Sequence, residues 1–203
     1  LHRTRTWAFF ALILMVVCLS TSIVSAQDAK PEPVGLRPDA PTYAVHGPYW
    51  VGTRQMEIPA ANGKPALKLS VWYPALNPKN QKEEFVYHPV MKYDPLPDLD
   101  PSTYVYAGHA LADADPNMAK APYPLVVFSH GFASSPSYYS YLLEHLASYG
   151  LMILAPDHIE TSYLSGDQWR DIPPSSIDRP LDIVRVLDYA ESLNGNSGAF
   201  KGL

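Results

Sequence analysis

Short apolar runs and tight-turn residues alternate in the middle of this chain. Residues 53–58 and 67–73 are strand-like, and Asn62-Gly63 between them is a pair that tight hairpin turns prefer. In the second run the alternate positions are apolar: Leu67, Leu69, Val71 and Tyr73. This pattern predicts an antiparallel β-hairpin with one face towards a core.

The strongest pattern in the chain is that of a strand, a helix and a second strand. The continuous apolar runs 125–128 and 151–155 are typical of strands buried on both faces. Ser135 and Pro136 predict the helix start, with Ser135 as N-cap, and Gly150 predicts its end. One apolar face at i, i+3, i+4 and i+7 is formed by Tyr139, Leu142, Leu143 and Leu146. Because a helix joins the two strands, they should be parallel.

A second helix is predicted over residues 178–193, ended by Asn194-Gly195. Its apolar face is formed by Ile183, Val186, Leu187 and Ala190. A third parallel strand should follow, but the sequence stops at Leu203.

Residues 76–121 show no sustained period of 2 or 3.6 and are rich in Asp, Pro and Tyr. Long irregular segments of this kind are functional lids, binding segments or solvated surface excursions. The lid interpretation is favoured by the tyrosines of this segment: Tyr87, Tyr93, Tyr104 and Tyr106.

The first 26 residues have the pattern of a secretory signal peptide. Basic residues precede an apolar run over 7–19, and Val24-Ser25-Ala26 is an A-x-A-like cleavage site. The alternative is an uncleaved membrane anchor, although the run is shorter than the ~18 apolar residues of a span. We therefore expect a secreted or periplasmic protein with a Pro-rich leader over 27–42, a domain over 43–203 and no stable membrane span after cleavage.

Composition and charge exclude several classes of protein. A net charge of -5 without a basic run argues against nucleic acid as a partner. Cys18 is the single cysteine, so this chain cannot build a disulfide framework, a thiolate zinc site or an iron–sulfur cluster. No metal or organic cofactor is predicted.

The candidate chemistry follows the two predicted parallel strands. Ser129-His130-Gly131-Phe132 comes after the first, and Asp157-His158 comes after the second. In open α/β sheets, catalytic groups gather at the carboxyl ends of the strands. Gly131 permits a sharp turn and a close approach to a substrate, so that the Phe132 N–H can point into a cleft. A fixed N–H of this kind is what an oxyanion hole requires.

These segments resemble the α/β-hydrolase superfamily. The resemblance is carried by the strand ending in Ser-His-Gly-Phe132 and the one ending in Ala-Pro-Asp-His158, each in its context. The segments 51–56, 71–74 and 179–195 add to it: Val-Gly-Thr-Arg-Gln-Met, Val-Trp-Tyr-Pro, and the helix beginning Arg-Pro-Leu-Asp. Within the superfamily, residues 51–203 are similar to the platelet-activating-factor acetylhydrolase branch and its dienelactone-hydrolase-like and polyester-cleaving relatives.

The resemblance implies an α/β-hydrolase fold, with a mostly parallel sheet and an N-terminal antiparallel hairpin. It also implies that Phe132 supplies an oxyanion N–H, with Gly131 and His130 in the oxyanion loop. The nucleophile elbow of that superfamily, G-x-S-x-G, is absent from this chain. Ser197 follows a helix and is interpreted as a turn residue. The resemblance therefore implies an amino-terminal fragment that stops before the nucleophile strand and is inactive alone.

A catalytic triad formed by Ser129, His130 and Asp157 is disfavoured, because Ser129 precedes a turn and not a strained elbow. We expect His130 to pack or to form a structural hydrogen bond. Asp157 and His158 either line the substrate cleft or have a structural hydrogen-bonding role.

The function implied by the resemblance is that of a secreted carboxylic-ester hydrolase with a serine nucleophile and an acyl-enzyme intermediate. It would resemble a 1-alkyl-2-acetylglycerophosphocholine esterase and act on a small-molecule or lipid ester. The alternative is a short, non-catalytic secreted binding protein that retains half of the fold. That alternative would leave strand 125–128 as an exposed apolar edge, which invites aggregation.

Overall fold

A computed structural model of the chain describes residues 30, 38–89, 105–132, 134–158, 168–195, 198 and 200–203. The strands are β1 Trp50–Ile58, β2 Leu67–Ala75, β3 Phe85–Tyr87, β4 Tyr106–Gly108, β5 Leu111–Ala112, β6 Leu125–Val127 and β7 Met152–Pro156. The helices are α1 Ser140–Ser148 and α2 Gln168–Gly195, with short 3₁₀ helices at Met118–Lys120 and Pro136–Tyr139.

The main sheet is mixed, with strand order β5-β1-β2-β7-β6. The β1–β2 and β2–β7 pairs are antiparallel, whereas the β5–β1 and β6–β7 pairs are parallel. The predicted hairpin is confirmed, because β1 and β2 pair from Trp50 opposite Ala75 to Ile58 opposite Leu67. Its turn holds Asn62 and Gly63 at φ 52° and 74°, the left-handed conformation that a two-residue hairpin turn requires.

Helices cover both faces of this sheet. On one face, Leu69 and Leu154 pack in a core with Val186 of α2. On the other, Trp72 and Ile153 pack with α1. The prediction of a single buried face for β2 is therefore wrong, since α1 buries its second face.

The predicted parallel pair of strands is confirmed, but the expected burial of the first is not. β6 and β7 pair in parallel from Leu125 opposite Met152 to Val127 opposite Leu154. Leu125 is 42% exposed, because β7 is the one strand that pairs with β6 in the described part of the chain.

Helix α1 begins and ends close to the predicted residues. Gly150 follows it at φ 91°, as expected of a helix-ending glycine. Ser135 has the backbone conformation of an N-cap, but its side chain makes no capping hydrogen bond to the 3₁₀ turn that it precedes. Leu142 was expected in the core and is exposed, since the buried face is centred on Leu143 and Ala147.

Helix α2 begins at Gln168, ten residues before the predicted start. Pro173 and Pro174 lie inside these additional turns, although proline normally interrupts a helix. Leu187, expected inside, is 45% exposed, because the buried face of α2 passes through Val186.

The segment 76–121, described here apart from residues 90–104, contains three short strands. β3 and β4 pair with each other, and β5 extends the main sheet beside β1. Tyr87 is buried and Tyr106 is exposed, whereas Tyr93 and Tyr104 lie outside the described residues. The lid interpretation remains a prediction.

The proposed signal peptide, most of the proline-rich leader and Ser197 also lie outside the described residues. Among the helices that are described, none combines the length and hydropathy needed to cross a bilayer.

Candidate active site

The parallel pairing of β6 and β7 places the Ser129–Phe132 loop beside Asp157 and His158. The His158 backbone N–H donates to His130 Nε2 at 3.1 Å, directly joining the two strand ends. The prediction that these two segments meet at one edge of the sheet is thus confirmed. The catalytic roles assigned to them remain predictions.

His130 is 1% exposed and is held by hydrogen bonds at both ring nitrogens. Its Nδ1 lies 2.8 Å from the Gly131 carbonyl oxygen, and its Nε2 accepts from the His158 N–H. A carbonyl can only accept, so the proton is on Nδ1 and Nε2 carries the lone pair. Asp157 Oδ1 lies 3.5 Å from the same Nε2. This geometry fits the structural hydrogen-bonding role expected for His130.

Gly131 has its carbonyl oxygen fixed by three donors. These are His130 Nδ1 at 2.8 Å, the Ser134 N–H at 3.1 Å and Arg179 Nη2 at 3.3 Å. On the other side, the Gly131 N–H donates to Tyr139 Oη at 3.3 Å. A Cβ at this position would lie 2.9 Å from that hydroxyl oxygen, and the φ of Gly131 is not in the left-handed region. Glycine is therefore needed here for space and not for a left-handed turn.

The direction of the Phe132 N–H follows from the fixed Gly131 carbonyl. In a trans peptide the carbonyl oxygen and the next N–H point in opposite directions. Anchoring the Gly131 oxygen towards Arg179 therefore turns the Phe132 N–H away from α2. The Phe132 side chain is 37% exposed, and its ring centroid lies 5.8 Å from the Arg179 guanidinium carbon.

Ser129, His158 and Asp182 form a hydrogen-bonded series that ends at the surface. Ser129 Oγ lies 2.9 Å from His158 Nε2, and His158 Nδ1 lies 2.9 Å from Asp182 Oδ2. Ser129 is exposed, whereas His158 is 1% exposed. Since the carboxylate accepts a hydrogen bond from Nδ1–H, the Nε2 of a neutral imidazole accepts a hydrogen bond from the Ser129 hydroxyl. Burial lowers the pKa of His158, against the raising effect of its hydrogen bond to Asp182.

Two residues of this region were missed by the sequence analysis: Arg179 and Asp182. They are three residues apart on α2, and Val186 follows four residues later, so all three lie on the buried face of the helix. The sequence signal that could have identified them is their helical spacing from the apolar Val186. The predicted apolar face included Val186 but was not extended to Arg179 and Asp182.

This arrangement can do two kinds of chemistry. A fixed N–H beside an exposed loop can stabilise negative charge that develops on a carbonyl oxygen. A hydroxyl, an imidazole and a carboxylate in series also have the order of a serine-hydrolase triad. The structure therefore places the triad-like series of Ser129, His158 and Asp182 beside the Gly131–Phe132 peptide, whose role as an oxyanion donor remains a prediction.

The mixed sheet with a helix on each face agrees with the predicted partial α/β-hydrolase fold. The family model "Platelet-activating factor acetylhydrolase, isoform II" matches residues 35–186, and the chain belongs to this family. It is also similar to the solved structure of a ferulic acid esterase from Streptomyces cinnamoneus, at 26% identity and a TM-score of 0.49. That match covers 74% of this chain and 47% of the esterase, so the chain spans about half the length of that structure. No curated protein matched the sequence.

Proposed function

We propose that the protein containing this chain is a secreted carboxylic-ester hydrolase of the platelet-activating-factor acetylhydrolase type, with Ser129–Phe132 as its oxyanion loop. The observation that carries the proposal is the Gly131 carbonyl, held by three donors at 2.8–3.3 Å. A catalytic N–H must be fixed before charge develops, and this anchoring fixes the Phe132 N–H. Family membership supports the ester as substrate class.

In the proposed reaction, a serine hydroxyl attacks the ester carbonyl carbon and passes its proton to a base. The Phe132 N–H donates to the oxyanion of the tetrahedral intermediate, the alcohol leaves, and water hydrolyses the acyl-enzyme. The sequence has no G-x-S-x-G, so we assign the attacking serine to a segment outside residues 1–203.

The proposed substrate is a glycerophospholipid that carries a short acyl group, such as an acetyl ester. The family description supports this class. The exposed part of the Phe132 ring, at the end of the loop, offers apolar contact to an acyl or alkyl chain.

The test is an ester assay on the product of the longest open reading frame that contains this chain. We expect turnover of p-nitrophenyl acetate and of a 1-alkyl-2-acetylglycerophosphocholine, with slower turnover of p-nitrophenyl decanoate. An initial burst of p-nitrophenol would identify the acyl-enzyme. Absence of hydrolysis of all three esters by the folded protein would overturn the proposal.

Secretion is tested separately by cell fractionation and N-terminal sequencing. Cleavage after Ala26 should give a mature protein that begins at Gln27 and is found in the periplasm or the medium. A membrane-bound protein that keeps residues 1–26 would instead support the anchor alternative.

A further inference from the structure

Four buried or half-buried side chains in and behind the oxyanion loop have no part in the proposed reaction steps. We call this group the loop clamp: His130, His158, Arg179 and Asp182. It comes from three separate places in the chain, namely the two strand ends and α2. Burying polar side chains costs free energy unless they are hydrogen-bonded. A hydrogen-bonded group assembled from distant parts of the chain therefore suggests a role in the fold or in the site.

Arg179 is the member of the loop clamp that reaches two backbone carbonyls of the oxyanion loop from α2. Its Nη1 donates to the His130 carbonyl oxygen at 2.6 Å, and its Nη2 donates to the Gly131 carbonyl oxygen at 3.3 Å. A planar guanidinium can hold two successive carbonyls at once, which a lysine ammonium cannot do in the same geometry. Arg179 therefore fixes the peptide planes on both sides of Gly131.

His158 and Asp182 hold the rest of the loop clamp in register. His158 donates from Nδ1 to Asp182 Oδ2, and its backbone N–H donates to His130 Nε2. Arg185 braces the carboxylate from the other side, with Nη1 at 3.2 Å from Asp182 Oδ1 and Nη2 at 2.7 Å from the Pro65 carbonyl oxygen. The clamp is thus tied to the hairpin turn as well as to α2.

We propose that the loop clamp, braced by Arg185, is a positioning device for the Phe132 N–H, and that Ser129 belongs to it as a terminal hydrogen-bond donor. This inference rests on the proposed function. The clamp residues act on catalysis through the loop and do not touch the reacting atoms. Without them, the Gly131 carbonyl loses its link to α2 and the Phe132 N–H loses its fixed direction.

The surroundings of His158 favour this role of Ser129 over that of a nucleophile. A triad histidine must become positively charged when it takes the serine proton. Here the imidazole is buried, lies near Arg179 and shares its carboxylate with Arg185. Each of these features disfavours a positively charged His158 ring. None of them prevents a neutral ring from accepting a hydrogen bond from the Ser129 hydroxyl.

The main test compares Arg179→Met and Arg179→Lys in the full-length protein. Removing one oxyanion donor typically costs ~10²–10³ in rate, so a misdirected N–H in Arg179→Met should lower kcat about 10–100-fold. KM should stay within about threefold, because the lost interaction belongs to the transition state. Arg179→Lys should recover part of the loss, since it restores one of the two donors.

The matched control is Arg54→Met. Arg54 lies on β1, away from the loop, and forms an ion pair with Asp113 that the change removes. This variant should leave kcat unchanged. A loss of kcat in Arg179→Met no larger than in Arg54→Met would overturn the positioning role.

Ser129→Ala distinguishes a positioning role of the Ser129 hydroxyl from a nucleophilic one. If Ser129 is a clamp donor, the variant should lower kcat by only a few-fold, through loss of one hydrogen bond to His158, and should still be labelled by a serine-directed fluorophosphonate. Loss of both turnover and labelling would identify Ser129 as the nucleophile and overturn the inference. It would leave the proposed ester hydrolysis standing.

A readout independent of activity is amide hydrogen exchange of residues 129–134 by mass spectrometry. The Ser134 N–H donates to the Gly131 oxygen, so its protection reports on the anchored loop. Exchange should be at least about tenfold faster in Arg179→Met than in wild type and in Arg54→Met. Unchanged exchange would contradict the clamp even if the protein proved to hydrolyse no ester.

Discussion

Two clusters of hydrogen-bonded side chains lie on opposite sides of the same sheet: one is buried, and the other reaches an exposed residue. On the α1 side, Trp72 Nε1 donates to Tyr87 Oη at 2.7 Å, and Tyr87 Oη donates to Glu144 Oε1 at 2.6 Å. The His109 N–H completes this Glu144 cluster by donating to Glu144 Oε2 at 2.9 Å. On the α2 side, the loop clamp ends at the exposed Ser129.

This difference in exposure suggests a structural role for the Glu144 cluster and a functional role for the loop clamp. The side chains of Trp72, Tyr87 and Glu144 are 0–2% exposed, so none of the three is accessible to a ligand. The cluster joins β2, β3 and α1, so we expect it to stabilise the fold. The loop clamp uses the same kind of hydrogen bonds but holds an exposed backbone segment, so we expect it to contribute to activity.

The largest expected effect is the loss of stability in Glu144→Leu. The change leaves the buried Tyr87 hydroxyl and the part-buried His109 N–H without their acceptor, at a cost of about 3 kcal/mol or more in the free energy of unfolding. Urea denaturation monitored by circular dichroism measures it. Glu57→Leu, an exposed glutamate on β1, is the control and should change stability by less than about 0.5 kcal/mol. Equal losses in the two variants would contradict the assignment of the Glu144 cluster to stability.

The next effect in size should fall on activity alone. In Gly131→Val the new side chain meets the Tyr139 hydroxyl, which a Cβ alone would approach to 2.9 Å. We expect kcat of the full-length protein to fall about 100-fold, equivalent to about 2.7 kcal/mol of transition-state stabilisation, with the melting temperature little changed. Unchanged turnover would refute the oxyanion assignment.

A paired substitution tests the steric reason. Gly131→Ala should lose less activity in a Tyr139→Phe background than in wild type, because the phenylalanine lacks the oxygen that a Cβ would meet. Equal losses in both backgrounds would show that the backbone, and not Tyr139, is what excludes a side chain.

The sequence was sufficient to predict the hairpin, the β6–α1–β7 unit and the meeting of the two strand ends, because these depend on local periodicity and turn residues. It did not reveal Glu144 as a buried residue, since a glutamate on a helix is normally solvated. The partners that bury it, Tyr87 and the His109 N–H, come from a segment without periodicity. Asp182 was missed for a related reason: its partner, His158, is 24 residues away.

A smaller effect, dependent on pH, is expected at His46 on the α1 side. Burial, Lys30 and the rings of His109 and His145 lower the pKa of His46 to about 4. The folded state therefore binds fewer protons than the unfolded state between pH 6.5 and about 4, and stability falls as the pH drops through that window. His46→Phe should reduce the difference in unfolding free energy between pH 7 and pH 5 by about 1 kcal/mol, allowing for screening at a half-buried ring.

The control for this pH effect is the exposed His88, replaced in the same way. His88→Phe should leave the pH dependence of the unfolding free energy as in wild type, measured by urea denaturation at both pH values. An equal change in the two variants would mean that the surroundings of His46 do not set the effect.

The smallest effect is expected at an exposed ion pair between the hairpin turn and α2. Lys64 Nζ lies 2.6 Å from Asp178 Oδ1, but the two side chains are 37% and 50% exposed. Solvent and salt screen such a pair, so Asp178→Asn should change the free energy of unfolding by less than about 0.5 kcal/mol and kcat by less than about twofold. Arg185→Met, which removes the neighbouring link from the hairpin turn to Asp182, should lower kcat by more. If instead Asp178→Asn lowered kcat as strongly as Arg185→Met, the attachment of α2 to the hairpin, and not the buried hydrogen bonds of the loop clamp, would be what positions the oxyanion loop.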